Sequence, residues 1–450
     1  MNDPHPHRFP LLRAVVLAAA LALLGACVGR LPLTPAQDAL VQAARANGAS
    51  DVRAVAREDG GLQLGGELAG KQFALVFPED WNRQAALFAH GYSAPGSPVA
   101  VAADPMAAGN DPQGAFRTPY SQGFAVGHSA YDKAGMDVRG AVENSHRLAQ
   151  LLARLGSTRT YLIGASMGGN IVVALLDKHP QDFAGAIAGC GVVGDWPAEI
   201  GWLDDVRAVY DYFTRGTGYE LPGRKSLARS ALASPSFGPL RMWNMKRVAG
   251  PIYALFEAAQ AHPGGAESRI IDNVAAVAGT PRDPAAFVLP IMTVALGMDD
   301  LNATFGGAVA GNVGKVYHSP YLDQAGNARL NAGIERVAAD PAAVARAAQW
   351  YKASGRIGVP LLSIYNTTDS LVPSALHEDM LRAAVAAAGN EQWLLQRPLP
   401  PMKVPLPASK LQGLAHCGFT DAQIAGAWND LRRWVETGQR PPAMPAPSAR

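Results

Sequence analysis

Short apolar runs alternate with amphipathic stretches through the first half of the chain. Phe73–Phe77, Ala85–Ala89, Gly123–Gly127, Tyr161–Gly164 and Phe183–Cys190 are each brief, apolar and bounded by turn residues, which predicts buried strands. Between them, Val138–Leu155 carries Val142, Leu148, Leu151 and Leu152 at helical spacing and predicts an amphipathic helix. A short helix is expected over Leu33–Asn47. Val52–Phe77 reads as β-hairpins, with Gly60-Gly61 and Gly65-Gly66 supplying turn chemistry. Strands that alternate with helices predict a mostly parallel sheet with helices on both faces, an α/β architecture.

The alternation breaks after Gly194. From Asp195 to about Arg356 the pattern is helical and loop-rich, with Trp196, Trp202, Tyr210, Tyr212, Phe213 and Trp243 scattered through it. Strand character returns at Val359–Tyr365. A helix over Leu376–Ala388, a strand over Leu394–Leu399 and a last helix over Thr420–Thr437 follow, the last with Thr420-Asp421 at its start. The expected organisation is a leader over residues 1–27, a linker with a short helix over 28–50, the first part of a sheet domain over 51–194, a large mainly helical cap inserted over 195–355, the second part of the sheet domain over 356–437, and a Pro-rich tail over 438–450.

Composition narrows the class. The 450 residues are 48% hydrophobic and 17% charged, with a formal net charge of +2. That describes a globular chain, and nothing in it suggests nucleic-acid binding or electrostatic attraction to membranes. The N-terminus stands apart. Arg8 and Arg13 precede an apolar run from Ala14 to Ala26 that is short for a membrane span, and the run ends in Leu24-Gly25-Ala26-Cys27. This resembles the bacterial lipobox, which implies export, lipidation of Cys27 and anchoring in the cell envelope. Val28 follows rather than Asp, so the outer membrane, facing the periplasm, is the expected site in a Gram-negative cell. The alternative is an ordinary secretory leader with an incidental Cys. In an oxidising compartment Cys190 and Cys417 can pair or remain as two small buried thiols.

The chemistry centres on Tyr161-Leu162-Ile163-Gly164-Ala165-Ser166-Met167-Gly168-Gly169. A predicted strand runs into Gly-x-Ser-x-Gly, and a helical pattern, Asn170 to His179, leaves it. In that context Gly164 and Gly168 permit a turn so sharp that Ser166 stands exposed at the bend. The N–H of Met167, at the start of the new helix, then faces the place where an oxyanion would form. A serine hydroxyl needs a base, and the base needs a carboxylate to orient it. Downstream, Asp369 lies just past the Val359–Tyr365 run, in Thr368-Asp369-Ser370-Leu371-Val372-Pro373. His416 lies in Gly413-Leu414-Ala415-His416-Cys417-Gly418, before the last helix.

The order Ser166, Asp369, His416 is similar to that of the α/β-hydrolases of esterase and lipase type, over roughly residues 70–194 and 356–437. The resemblance implies the α/β-hydrolase fold and a Ser-His-Asp triad, with Asp195 as the alternative acid. It also implies an oxyanion loop at His90-Gly91-Tyr92, where the N–H of Tyr92, with that of Gly91, joins the Met167 N–H. Each such donor is worth about 3 kcal/mol in the transition state. His90 is expected to be structural, and Ser129 and Tyr131 to line the pocket. His146 and His179 are expected to be solvated, and His377 to point away on its helix. Tannase- and feruloyl-esterase-like hydrolases bridge a Cys beside the serine to a Cys after the histidine. Here Ala165 stands before Ser166, so a Cys190–Cys417 bridge would be a variant of that pattern.

The expected activity is hydrolysis of small-molecule carboxylic esters, apolar or aromatic to suit the Trp- and Tyr-bearing cap. A serine aminopeptidase or oligopeptidase, and a non-catalytic surface lipoprotein on the same fold, are the alternatives. No cofactor is expected. Neither His-Glu-x-x-His nor paired Cys-x-x-Cys occurs, so no metal ligands are predicted.

Overall fold

The computed structural model describes residues 31–232 and 239–443. The expected leader with Cys27, and the end of the expected Pro-rich tail, lie outside the described residues.

Helix α1 (Pro35–Ala46) opens the chain. Thr34 and Gln37 cap it reciprocally, and Val41 and Ala44 are buried. Three strands follow, β1 (Ala49–Ala56), β2 (Leu62–Leu68) and β3 (Lys71–Phe77), paired antiparallel. Gly65-Gly66 does not turn the chain, contrary to expectation. Both residues lie inside β2, and Ala69-Gly70 makes the turn. A register shift between Ser50 and Arg53 of β1 brings the Ser50 carbonyl so close that a Cβ on Gly66 would stand 2.8 Å from it. The glycine answers a close backbone approach.

The alternating pattern becomes β4 (Gln84–Ala89), a single helical turn α2 (Arg117–Tyr120), β5 (Ala125–Ser129), α3 (Val138–Arg154), β6 (Arg159–Ala165), α4 (Met167–Lys178) and β7 (Gly185–Gly189). Strand β5 starts two residues later than the apolar run suggests, because Gly123 adopts φ +86° in the turn before it. Between β7 and β8 the chain passes through α5 (Trp196–Phe213), α6 (Pro239–Ala261), α7 (Ala266–Ala278), α8 (Pro284–Phe305), α9 (Gln324–Gly333) and α10 (Pro341–Trp350). It then re-enters the sheet as β8 (Leu361–Asn366), followed by α11 (Ser374–Ala387) and β9 (Leu394–Leu399). A small hairpin, β10 (Lys403–Pro405) with β11 (Gln412–Leu414), comes before α12 (Asp421–Thr437) and was not expected.

The nine strands of the main sheet run in the order β1-β2-β3-β5-β4-β6-β7-β8-β9, and pairing is parallel from β5 to β9. Strand β5 lies on one side of β4, and the chain then crosses back so that β6 lies on the other side. The crevice beyond the carboxyl ends of β4 and β6 is therefore a topological switch point, where open α/β sheets place ligands. One face of the sheet packs on α3, α4 and α11, through Leu148, Leu152, Ile171, Leu175 and Leu381. The other packs on α12, where Trp428 meets Phe124 and Tyr161 edge-on at 5.0 and 5.3 Å.

The inserted helices bury a core of their own, including Tyr210, Ile252, Phe256, Val274, Phe287 and Ile291. Two of them serve both cores. Helix α5 gives Trp196, Ile200 and Leu203 to the sheet domain, and Val206 and Tyr210 to the cap. Helix α8 gives Phe287 and Ile291 to the cap, and Val294, Met298 and Leu301 to the sheet domain. By length and hydropathy α8 could cross a membrane, but 67% of its apolar window is buried within the protein. Its apolarity is explained by serving two cores at once. Asp300 of α8 adds a polar tie, accepting from Lys133 Nζ at 2.5 Å and from the Met136 N–H at 2.9 Å.

Candidate active site

The bend between β6 and α4 carries Ser166 at φ 57° and ψ −123°, outside the regions L-residues ordinarily occupy. The flanking glycines are sterically required. A Cβ on Gly164 would stand 2.1 Å from the Gly168 carbonyl oxygen, and one on Gly168 would stand 1.9 Å from that of Ala89. The first allows helix α4 to fold back on its own strand. The second lets the helix start press against the end of β4, which brings His90-Gly91-Tyr92 beside the serine. Gly91 is so near that a Cβ there would lie 3.2 Å from Ser166 Cβ.

Asp369 and His416 converge on the same point from the second half of the sheet domain. His416 Nε2 lies 2.8 Å from Ser166 Oγ, and its Nδ1 lies 2.8 Å from Asp369 Oδ1. If Nδ1 carries the proton it donates to the carboxylate, leaving Nε2 to accept from the serine hydroxyl. Asp369 also accepts from the N–H groups of Leu371, Val372 and Cys417 at 2.8, 3.0 and 3.0 Å. Burial works against its charge, but His416 and the N–H groups of Val372 and Leu371 outweigh it and hold the carboxyl below the usual carboxylate range. For His416, burial alone would lower the imidazole pKa. The charge and hydrogen bond of Asp369, and the charge of Glu199, reverse that and raise it above 6.5.

Cys190 and Cys417 are joined by a disulfide. Each half-cystine has positive φ, 42° and 57°. The bridge fastens the residue after His416 to the strand end that follows the serine helix. The sequence left paired and free thiols open, and the structure holds the pair.

Met167, expected to supply an oxyanion donor, is the first residue of α4. No acceptor among the described residues takes the N–H of Gly91, Tyr92 or Met167. His90 Nδ1 lies 2.8 Å from the Gly91 carbonyl oxygen, which fixes the Gly91–Tyr92 peptide. The His90 ring stacks on Tyr131 at 3.9 Å, and Tyr131 Oη donates to the His90 carbonyl at 2.9 Å. Burial lowers the His90 pKa, keeping the ring neutral under its loop. Tyr131 lines the cavity in front of Ser166. Ser129 does not: it is buried, and its Oγ donates to the neighbouring Ala130 carbonyl.

Asp195, the alternative acid, sits at the start of the cap with Lys352 Nζ at 3.7 Å, and no bond joins it to His416. His377 is fully buried and turned toward Glu199, with Nε2 2.8 Å from Glu199 Oε2. His146 and His179 are less solvated than expected. Their rings stack at 3.5 Å, and His146 Nε2 meets Asp182 at 2.7 Å. Sequence reading missed Asn366, whose side chain accepts from the Gly418 N–H and donates to the Gly418 and Pro400 carbonyls at 2.8–3.0 Å. It ties the end of β8 to the His416 loop. Its one visible signal is a polar residue closing an apolar strand.

A family model described as the alpha/beta hydrolase fold matches residues 125–237. The chain matches no curated protein sequence. Similar solved structures include feruloyl esterase B from Aspergillus oryzae, with 12% identity, 85% of this chain and 81% of that one covered, and a TM-score of 0.44. A rice cell wall degrading esterase, LipA, from Xanthomonas oryzae is 15% identical over 88% of this chain and 95% of its own, with a TM-score of 0.41. An esterase from the bacterial hormone-sensitive lipase family is 14% identical over 90% and 100%, with a TM-score of 0.36. Taken together, the parallel sheet with its switch point at β4 and β6, the strand–Ser166–helix bend there and the family match over residues 125–237 establish that this chain has the α/β-hydrolase fold.

Proposed function

We propose that the chain is a serine carboxylic-ester hydrolase that works through an acyl-enzyme. The observation that carries this reading is the unbroken line Ser166 Oγ, His416 Nε2, His416 Nδ1, Asp369 Oδ1, with 2.8 Å at each contact between residues. Ser166 Oγ attacks the ester carbonyl while His416 takes its proton. The N–H groups of Met167 and Tyr92, with Gly91, hold the oxyanion. His416 then gives the proton to the leaving alkoxide as the C–O bond breaks. A water molecule next yields its proton to His416 and adds to the acyl carbon. The bond to Ser166 breaks, the proton returns to the serine oxygen, and the acid leaves. Asp369 stays ionised throughout and stabilises the imidazolium.

No cofactor enters this scheme, and the partner is a small apolar or aromatic ester. A fluorophosphonate should label the wild-type protein and not Ser166→Ala. p-Nitrophenyl esters should turn over while aminoacyl anilides do not. Turnover of the anilides alone would favour a peptidase, and absence of labelling would favour a binding protein. The reading extends to an exported enzyme lipid-anchored to the cell envelope through Cys27, supported by the Leu24–Cys27 sequence. A Cys27→Ala protein should then lose membrane association, and one that still fractionates with membranes would count against the anchor.

A further inference from the structure

Two cavities meet at His416. One, of about 700 Å³, contains Ser166, Gly91, Tyr92, Tyr131 and His128. The other, of about 770 Å³, runs between cap helices α6 and α8 and the β10–β11 hairpin, walled by Met245, Tyr253, Val288, Met292, Met402 and Leu414. His416 and Cys417 line both. Ser166 and the His90–Tyr92 loop line only the first. The second wall is mostly apolar, with Gln113 and Lys246 among its polar residues, and is rich in methionine, which adapts to flexible hydrocarbon. Both volumes lie in the range that encloses a small organic group.

The chemistry of the proposed reaction tells the two cavities apart. In the tetrahedral intermediate the central carbon carries four substituents. The serine oxygen comes from Ser166, and the oxyanion faces Gly91, Tyr92 and Met167. The leaving oxygen must face His416 Nε2, because that atom protonates it. The acyl carbon takes the direction left over. A cavity that touches His416 but neither Ser166 nor the oxyanion loop lies on the leaving-group side. A cavity that touches all of them holds the acyl group.

We infer that the methionine-lined cavity between the cap and the β10–β11 hairpin is the alcohol site, and that the enzyme takes esters of long or bulky apolar alcohols with the acyl group in front of Ser166. This rests on the serine-esterase reading and names its substrate class. The alcohol leaves into the apolar cavity after it takes the proton from His416. Water then reaches the acyl carbon from the vacated side, beside the same nitrogen. Residues of the cap thereby set selectivity for the alcohol, and the switch-point loops set selectivity for the acid.

The test uses two ester series on the whole protein, with acid release followed by titration. Acetates of ethanol, hexanol and dodecanol vary the alcohol; ethyl acetate, ethyl hexanoate and ethyl dodecanoate vary the acid. kcat/KM should rise by ~10-fold or more along the alcohol series, since each buried methylene adds to binding, and by less than about 3-fold along the acid series. Met292→Trp should abolish the gain for dodecyl acetate, lowering kcat/KM on that ester by ~10-fold or more. Met245→Trp approaches the same cavity from another helix and should do the same, with an unshifted thermal unfolding transition reporting that each variant is folded. A steeper rise along the acid series, with Met292→Trp acting on that series, would assign the cavity to the acyl chain and overturn the inference. Equal turnover along both series would also overturn it. If wild type hydrolyses no ester and Ser166 resists fluorophosphonate, the parent reading fails and takes this one with it.

Discussion

The sheet domain and the cap bury comparable kinds of side chain but are built under different rules. In the sheet domain, backbone geometry limits composition: at Gly164 and Gly168 even a methyl group would collide with a carbonyl oxygen. In the cap, the helices need mainly apolar volume at the right faces, which Tyr210, Ile252, Phe256 and Phe287 supply, and the close backbone approaches, 2.1 Å from a Cβ on Gly223 to the Ala231 oxygen and 2.6 Å from one on Gly311 to the Val337 oxygen, fall in the loops between helices. The difference teaches where to look for chemistry and where for selectivity. Cores tolerate hydrophobic exchange when volume is kept. A bend held in strained geometry does not.

That contrast can be broken in graded steps. Ser166→Ala should lower kcat/KM by about four to six orders of magnitude without lowering the melting temperature, a split that activity assays and calorimetry resolve together. Gly168→Ala comes next. With a Cβ only 1.9 Å from the Ala89 oxygen, the bend and the His90–Tyr92 loop must separate, and kcat should fall about 100- to 1000-fold. Wild-type turnover in that variant would refute the packing argument. Ile252→Ala, in the cap core, should behave in the opposite way. It should cost about 2–4 kcal/mol in denaturant unfolding and change the rate of fluorophosphonate labelling by less than about 3-fold.

The smallest effect concerns pH. Because His416 must be neutral to accept the serine proton and its pKa is raised above 6.5, the acid limb of kcat/KM should lie above 6.5. Activity is then lost as pH falls through that raised value. Glu199→Gln removes one source of the rise, and the limb should move downward, with Asp369 still holding the ring. An acid limb below 6.5 in wild type would contradict the electrostatic account.

What could be read in the sequence follows the same division. The bend at Ser166 was legible because its glycines, its strand and its helix are local and obligatory. Asp369 and His416 were legible through the resemblance to the α/β-hydrolases, which implies an Asp leaving a late strand before Val-Pro and a His in the loop before the last helix. Gly65-Gly66 misled, since a glycine that admits a neighbouring carbonyl cannot be told from one that turns the chain. Asn366 and the Glu199–His377 pair stayed hidden for another reason. Their meaning depends on partners far along the chain, 52 residues away for Gly418 and 178 for the pair. The cap announced its helical character and nothing about its cavity, because the wall is assembled from helices α6 and α8 and a hairpin that no local pattern marks.

The disulfide gives the molecule a topology as well as a fastening. Cys190 and Cys417 are 227 residues apart in sequence, so the bond closes a covalent ring that contains the whole cap, β8, α11 and β9. Closing so large a ring removes about 5 kcal/mol of freedom from the unfolded chain on the loop-entropy estimate. The ring also sets an order of events. Cys417 follows every helix of the cap in the chain, so the bond cannot form until all of the inserted helices have been made. The same bond holds the loop that carries His416, so closing the ring around the cap and fastening the base become a single step.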